Sequence, residues 1–375
     1  MAMNVLHIEG GETQGGAVQA ARAVRGLFPD HPLYVARCQP TALQQAVREI
    51  GGYCDPWAVH ELRGRIRLYR PDVVHLHRFG PWGTAAIVAA KREGLPVVYS
   101  AYDYWALGPC CTCWSPDRAC DSKCTRCYRP KDTRIPRLLN LALLGRRRRI
   151  LRHLNRVDHV IALSLDQASR LLAAGVTALI HVIPVPVTVP DLSYVERVPG
   201  RVVWCGSMSP NKSPQTFLDA VRLLREQGVS VDVRMIGPRT RGDYPRWTED
   251  EEDRWLGALS REQTLREIAA AEVLVCTEVW PNPMPLILAE AMLLQTPVVA
   301  PKIGGIPELF PFGNADVCLY EPGDVASLAR VLQGARIVAA LSAKPTAQYT
   351  AHIRRHLDPT RLRSRLLEAY TSCLP

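Results

Sequence analysis

Short apolar runs alternate along the chain with segments whose apolar residues recur every three or four positions. The first kind reads as buried strand and the second as amphipathic helix. Strands are predicted over Asn4–Ile8, Pro32–Ala36, Asp72–Leu76, Pro96–Ser100, His159–Leu163 and Leu179–Ile183, with helices over Gly15–Leu27 and Trp82–Glu93. Runs such as VVHLH and HVIAL scarcely alternate, as expected of parallel strands covered by helices on both faces. Four prolines (Pro184, Pro186, Pro190 and Pro199) then interrupt the pattern, forbidding regular helix and favouring an extended connector. The alternation restarts with strands over Val202–Cys205, Val231–Ile236, Val273–Thr277 and Pro297–Ala300 and helices over Pro214–Gln227, Ser260–Ala270 and Pro285–Leu294. A last helix is expected from Asp358 to Ser372.

The resulting architecture is α/β, with two doubly wound, Rossmann-like domains. The N-terminal one is placed at 1–185, with a Cys-rich insertion at about 108–130, and the C-terminal one at 200–352. Residues 353–375 form a tail whose helix can pack back on either. In such sheets ligands sit beyond the carboxyl ends of the strands, so two facing halves put the expected site in a cleft. A length of 375 residues suits this division.

Composition adds a sign. Lys and Arg number 46 against 36 Asp and Glu, a net charge of +10, and only six of the cations are lysines. Anionic partners are favoured, with phosphates, acidic headgroups and nucleic acid all qualifying on charge alone. No run approaches the length of a membrane span, and MAMNVLHIEG lacks the basic and long apolar regions of an export signal. A cytoplasmic protein is expected.

Four features carry candidate chemistry. The first is EGGETQGGA, where Gly15 and Gly16 open a helix whose backbone N–H groups can approach an anion, or serve simply as a tight turn. It is not GxGxxG and lacks an acidic residue closing the second strand, which argues against a dinucleotide cofactor. The second is VVWCGSMSPNKSP, with Lys212 at a helix entrance, either a point charge for a diphosphate or a solvated loop lysine. The third is EVWPNPMPLILAEAMLLQTPVVAPKIGGIPEL, a strand, a proline-rich loop, a helix carrying Glu290, another strand and the Gly304-Gly305 turn. The fourth is VVYSAYDYW, a strand that runs into Asp103, whose plain reading is a local backbone cap.

These motifs, with PDVVHLH at the third strand, resemble glycosyltransferase family 4, retaining enzymes of the GT-B fold, over nearly the whole chain. The resemblance implies transfer of a sugar from a nucleotide diphosphosugar to a hydroxyl acceptor, a glycan or lipid-linked saccharide, by a hexosyltransferase-type enzyme. It implies that the donor is held by Gly15, Gly16, Lys212, Asn282, Met284, Pro285, Leu286 and Glu290, with Glu290 on the ribose and Lys212 on the diphosphate. Tyr102, Asp103 and Trp105 would then face the acceptor, with Asp103, Lys212 and Asn282 as the catalytic set. Three positions depart from the family pattern. Asn282 stands where the first carboxylate of a Glu-x7-Glu pair belongs, with Glu278 the weaker substitute. Ser207 replaces a phosphate-binding arginine, and Tyr102 replaces a histidine, with an unperturbed pKa of about 10 that makes it a poor base. These departures keep two rivals open, a catalytically silent saccharide-binding module and a nucleotide-sugar epimerase.

No cofactor is expected for catalysis. The chain has no Asp-x-Asp tripeptide, in agreement with a metal-independent reaction. Six of the twelve cysteines fall from Cys110 to Cys127, and Cys120, Cys124 and Cys127 with one of Cys110, Cys111 or Cys113 can form a structural zinc site, with disulfides or an iron–sulfur cluster as competitors. The stretch RIPRLLNLALLGRRRRILRHLNR, from Arg134 to Arg156, can lie on an anionic bilayer at the inner face of the membrane, or form a helix with a solvated basic face. Nucleic acid is not expected, since no recognition module accompanies the charge.

Overall fold

A computed structural model describes residues 3–9, 15–35, 41, 43, 47, 54–79, 82–107, 114–115, 118–119, 146–239, 254–310, 318–341 and 347–374. Every residue of the strand Val5–Glu9 (β1) is buried, and so is every residue of Val73–Leu76 (β3) and Val97–Ala101 (β4). Strands buried on both faces need helices on both sides, and the βα alternation supplies them. With Leu33–Val35 (β2), His159–Ala162 (β7) and Leu179–Val182 (β8) they form a six-stranded sheet in the order β2-β1-β3-β4-β7-β8, parallel throughout. A two-residue antiparallel pair, Trp114–Ser115 (β5) with Arg118–Ala119 (β6), stands apart from it.

The second sheet has five strands. Arg201–Cys205 (β9), Asp232–Ile236 (β10), Val273–Val275 (β11), Val298–Pro301 (β12) and Leu319–Tyr320 (β13) run in the order β10-β9-β11-β12-β13, again all parallel. Its core joins Val202 and Trp204 of β9 to Phe217 and Leu224 of the helix Pro214–Glu226 and to Leu328 and Leu332 of the helix Val325–Leu341.

The chain divides into two compact units, Met1–Pro186 with Pro359–Pro375, and Val187–Asp358. The C-terminal helix Pro359–Thr371 thus belongs to the first unit, while Ala347–His356 ends the second. The C-terminal helix buries Leu362, Leu366, Ala369 and Tyr370. It is tied to the first sheet by the Tyr370 hydroxyl, 2.6 Å from Nδ1 of His75, and by Arg365, which donates to the Val182 carbonyl at 2.6 Å.

Local chemistry sets the helix starts. Asp55 accepts from the Ala58 N–H at 2.7 Å and Pro56 follows it, so the helix Pro56–Tyr69 begins there. Ser260 and Gln263 form a reciprocal capping box at the head of Arg261–Ala269. Ser164 caps Leu165–Ala173, whose Gln167 accepts from Leu163 N–H and donates to the carbonyls of Ala101 and Asp103. That one side chain locks together the ends of β4 and β7, where candidate site residues lie. No described helix is long and apolar enough to cross a membrane.

Candidate functional site

In the second unit, candidate residues gather at the carboxyl ends of β9 and β11. β9 runs into Gly206, and the chain after β10 returns so closely that a Cβ on Gly237 would lie 1.8 Å from the Gly206 carbonyl oxygen. Only glycine fits this approach. Lys212 follows in the loop before Pro214–Glu226, and its backbone is pinned from below. The Thr277 hydroxyl donates to the Lys212 carbonyl at 2.8 Å and accepts from the Trp204 indole at 2.8 Å. β11 ends at Val275, two residues short of the expected Thr277, although Cys276 N–H still donates to the Val299 carbonyl at 2.8 Å.

The Lys212 ammonium forms an ion pair with the Oε1 of Glu278, and sits 5.5 Å from the centroid of the Trp280 ring. The other carboxylate oxygen of Glu278 accepts from Asn282 Nδ2 at 2.6 Å, and Asn282 Oδ1 accepts from the Met284 N–H at 3.0 Å. Glu278 is only 4% exposed and Asn282 8%. The loop is held from outside by the Gly304-Gly305 turn: Gly305 N–H donates to the Asn282 carbonyl at 3.0 Å, and Gly304 (φ +61°) packs where a Cβ would lie 2.6 Å from the Pro281 carbonyl carbon. Pro285 then starts the helix Leu286–Leu293, which carries Glu290.

Glu290 is buried and receives Nε and Nη2 of Arg261 on one oxygen, at 3.1 and 2.8 Å. Arg261 also donates to the Thr188 carbonyl at 2.8 Å, so the guanidinium joins the connector to the helix Leu286–Leu293. Burial pushes the Glu290 carboxyl above the ordinary carboxylate range and Arg261 opposes the shift. Cys205 feels both charged groups. Its thiol is pushed up to about 12, by burial and then by Glu290, with Lys212 opposing, so it remains a neutral thiol rather than a nucleophile.

The first unit brings together a different set. Gly15 takes φ 114° at the head of the helix Gly16–Gly26, whose N-terminus has no side-chain cap. Such an end suits an anion. Tyr102 is 7% exposed, with its hydroxyl 2.8 Å from Nδ1 of His77. Burial pushes its phenol well above the usual range, Ser100 opposes through a hydrogen bond, and the Glu9 charge adds to the rise. Asp103 accepts from the Trp105 N–H at 2.8 Å, a local turn, and Trp105 stacks on Phe79 with centroids 4.6 Å apart.

Behind Tyr102 lies a group that the sequence reading did not isolate. His7 Nδ1 is 2.7 Å from His77 Nε2, and His75 lies between the Ser100 hydroxyl (2.8 Å) and the Tyr370 hydroxyl (2.6 Å). The three imidazoles are fully buried and each offers a nitrogen within 4.8 Å of the others, a spacing open to a metal ion. Each also has protein partners for its ring nitrogens, so the set is satisfied as a hydrogen-bonded network. Burial lowers all three pKa values, that of His7 to about 3. Histidines at 7, 75 and 77 inside otherwise apolar strands were the available signal. Cys110, Cys120, Cys124 and Cys127 lie outside the described residues, as does the part of the basic segment before Arg146.

Two parallel, helix-covered sheets define a GT-B architecture, and comparison with solved structures agrees. The chain aligns over 99% of its length with 100% of Anabaena HepE in complex with UDP-glucose (TM-score 0.70, 19% identity). It aligns over 99% with 98% of sucrose-phosphate synthase from Thermosynechococcus elongatus (0.68, 14%) and with 98% of a glycosyltransferase from Rickettsia africae (0.67, 14%). No curated protein matches by sequence. Sequence families carry the identification further: residues 22–189 match Glycosyltransferase Family 4, and residues 199–335 match Glycosyl transferases group 1. Together the two matches, one in each half of the chain, mark it as a glycosyltransferase that uses a nucleotide sugar.

Proposed function

We propose that the chain is a retaining hexosyltransferase whose second unit binds a uridine diphosphosugar. The observation that carries this reading is the pair of buried carboxylates on the loop and helix after β11, Glu278 and Glu290, each held by a cation from elsewhere in the unit, Lys212 and Arg261. In this reading Glu290, oriented by Arg261, accepts from the ribose hydroxyls. Lys212 receives the diphosphate, and Asn282 with the backbone of Met284, Pro285 and Leu286 meets the sugar. The choice of uridine rests on relatives of the fold: crystals of HepE hold UDP and glucose, and those of Staphylococcus aureus TarM hold UDP.

As the anomeric bond loosens, negative charge gathers on the departing diphosphate. Rate then depends on stabilising that charge more than on a strong base. Lys212 and the backbone N–H groups at the start of the helix Leu286–Leu293 supply such stabilisation without a metal ion. Tyr102, buried and held neutral, is consistent with this division of labour. We assign the first unit to the acceptor, a saccharide hydroxyl on a glycan or lipid carrier. Exposed Arg148 and Arg152 on the helix Arg146–Leu154 are suited to an anionic surface that presents it.

Thermal shift with nucleoside diphosphates tests the donor assignment. UDP at 100 times its dissociation constant is expected to add about 2.7 kcal/mol of stability. The double variant Lys212→Ala/Glu290→Ala is expected to lose this response. An unchanged affinity in that variant, or no response to any nucleoside diphosphate, would sink the assignment. Slow hydrolysis of UDP-glucose separates a working transferase from a silent binding module.

A further inference from the structure

The sequence withholds a charge at one place where the donor needs polar contacts. Position 282 is an amide, and on the reading above it meets the sugar. Four residues earlier, Glu278 is a carboxylate buried to all but 4%, and it is satisfied by two groups of the proposed site: the Lys212 ammonium and the Asn282 amide. A buried carboxylate is costly without such partners, and removing either would leave an uncompensated charge. The hydrogen-bond path continues from Asn282 Oδ1 to the Met284 N–H, at the start of the turn into the donor helix. Glu278 therefore governs two things together, where the ammonium rests and how the Asn282 amide is oriented.

We infer that Glu278 is a positioning residue of the donor site: it restores the negative charge absent from position 282, orients Asn282 toward the sugar, and holds the Lys212 ammonium until a diphosphate takes it. The inference rests on the donor reading above. It has an unusual consequence, because Glu278 competes with the diphosphate for Lys212 while supporting recognition of the sugar. Its two effects on donor affinity have opposite signs. The nucleoside diphosphate alone feels mainly the competition, whereas the full diphosphosugar also feels the oriented amide.

Calorimetry with UDP and UDP-glucose, and steady-state hydrolysis of UDP-glucose, read the two effects separately. Glu278→Gln is expected to bind UDP at least as tightly as the natural chain, since the ammonium is released. It is expected to lose about tenfold of whatever affinity UDP-glucose gains over UDP, and to lower kcat by about tenfold or more, the scale of one charge-assisted hydrogen bond. Glu278→Asp keeps the charge on a shorter arm and is expected to fall between the two. Glu278→Gln/Asn282→Glu returns a carboxylate to the loop and is expected to recover much of the lost kcat.

A purely structural role would weaken UDP and UDP-glucose binding in parallel and would not be rescued by the transplanted carboxylate; that result overturns the inference. So does a Glu278→Gln variant with natural UDP-glucose affinity and kcat. In both cases the natural chain still binds UDP, and the donor reading stands. If the natural chain binds neither compound, the donor reading itself has failed and this inference with it.

Discussion

At the scale of single residues the least expected partner is Arg261. It meets Glu290 across 29 positions of sequence, placing two N–H groups on one oxygen and a third contact on the Thr188 carbonyl. On the donor reading Glu290 accepts from ribose hydroxyls, which it does best as a carboxylate, and burial works against ionisation. Arg261 offsets the burial. Because the folded-state pKa of Glu290 is raised, its ionised fraction grows as pH rises through that value, and UDP affinity is expected to rise with it. In Arg261→Ala the opposing cation is gone, the pKa moves further up, and the rise in affinity shifts to higher pH. UDP titrations between pH 5 and about 8 should then show weaker binding at the acidic end, by about tenfold, with the two chains converging as pH rises. A pH-independent loss would mean that Arg261 acts through the fold around Thr188 rather than through the carboxylate.

At the scale of elements, β1, β3 and the residue just past the end of β3 bring three imidazoles together in the interior, and the consequence is acid lability. In an unfolded chain each histidine titrates near 6.5. In the folded one they remain neutral far below that, His7 to about 3. Over this window the unfolded state binds more protons, so the stability is fully present above about pH 6.5 and falls as pH drops. Each of the three adds to the steepness of that fall. Denaturant melts monitored by exchange of the β1 and β3 amides are expected to show it, and a flat profile between pH 6.5 and 5 would refute it. The strands themselves were readable, because VLHIE and VVHL are apolar runs of parallel-strand length. The helix Pro56–Tyr69 was not assigned, since PWAVHELRGRIRLY carries many charged residues among its apolar ones. Glu290, Lys212 and Asn282 could be singled out because each holds a fixed place in a motif. Arg261 and Tyr370 could not, because their partners are 29 and 295 residues away and only folding brings them together.

At the scale of the whole molecule the chain leaves its first unit at Pro186 and returns to it at Pro359, so the final helix is structurally part of a sheet completed some 180 residues earlier. Leu362, Leu366 and Tyr370 are fully buried there, and Arg363 donates to the Leu27 carbonyl at 3.1 Å. Burying each such side chain stabilises by roughly 1.5–3 kcal/mol, so loss of the three costs roughly 5 kcal/mol or more, a large part of the stability of an ordinary domain. A chain ending at Asp358 also leaves Nδ1 of His75 without its hydroxyl partner in the sheet interior. Such a chain is expected to unfold its first unit at a markedly lower temperature. The second unit keeps its strands, its core and Lys212, Glu278, Asn282 and Glu290, so the gain in stability on adding UDP should survive. Hydrogen exchange reads the two units apart: β1, β3 and β4 should exchange rapidly in the truncated chain, while β9 and β10 stay protected and become more so with UDP. Equal loss of protection in both units would show that the last helix supports the molecule as one cooperative body, and that the second unit does not stand without it.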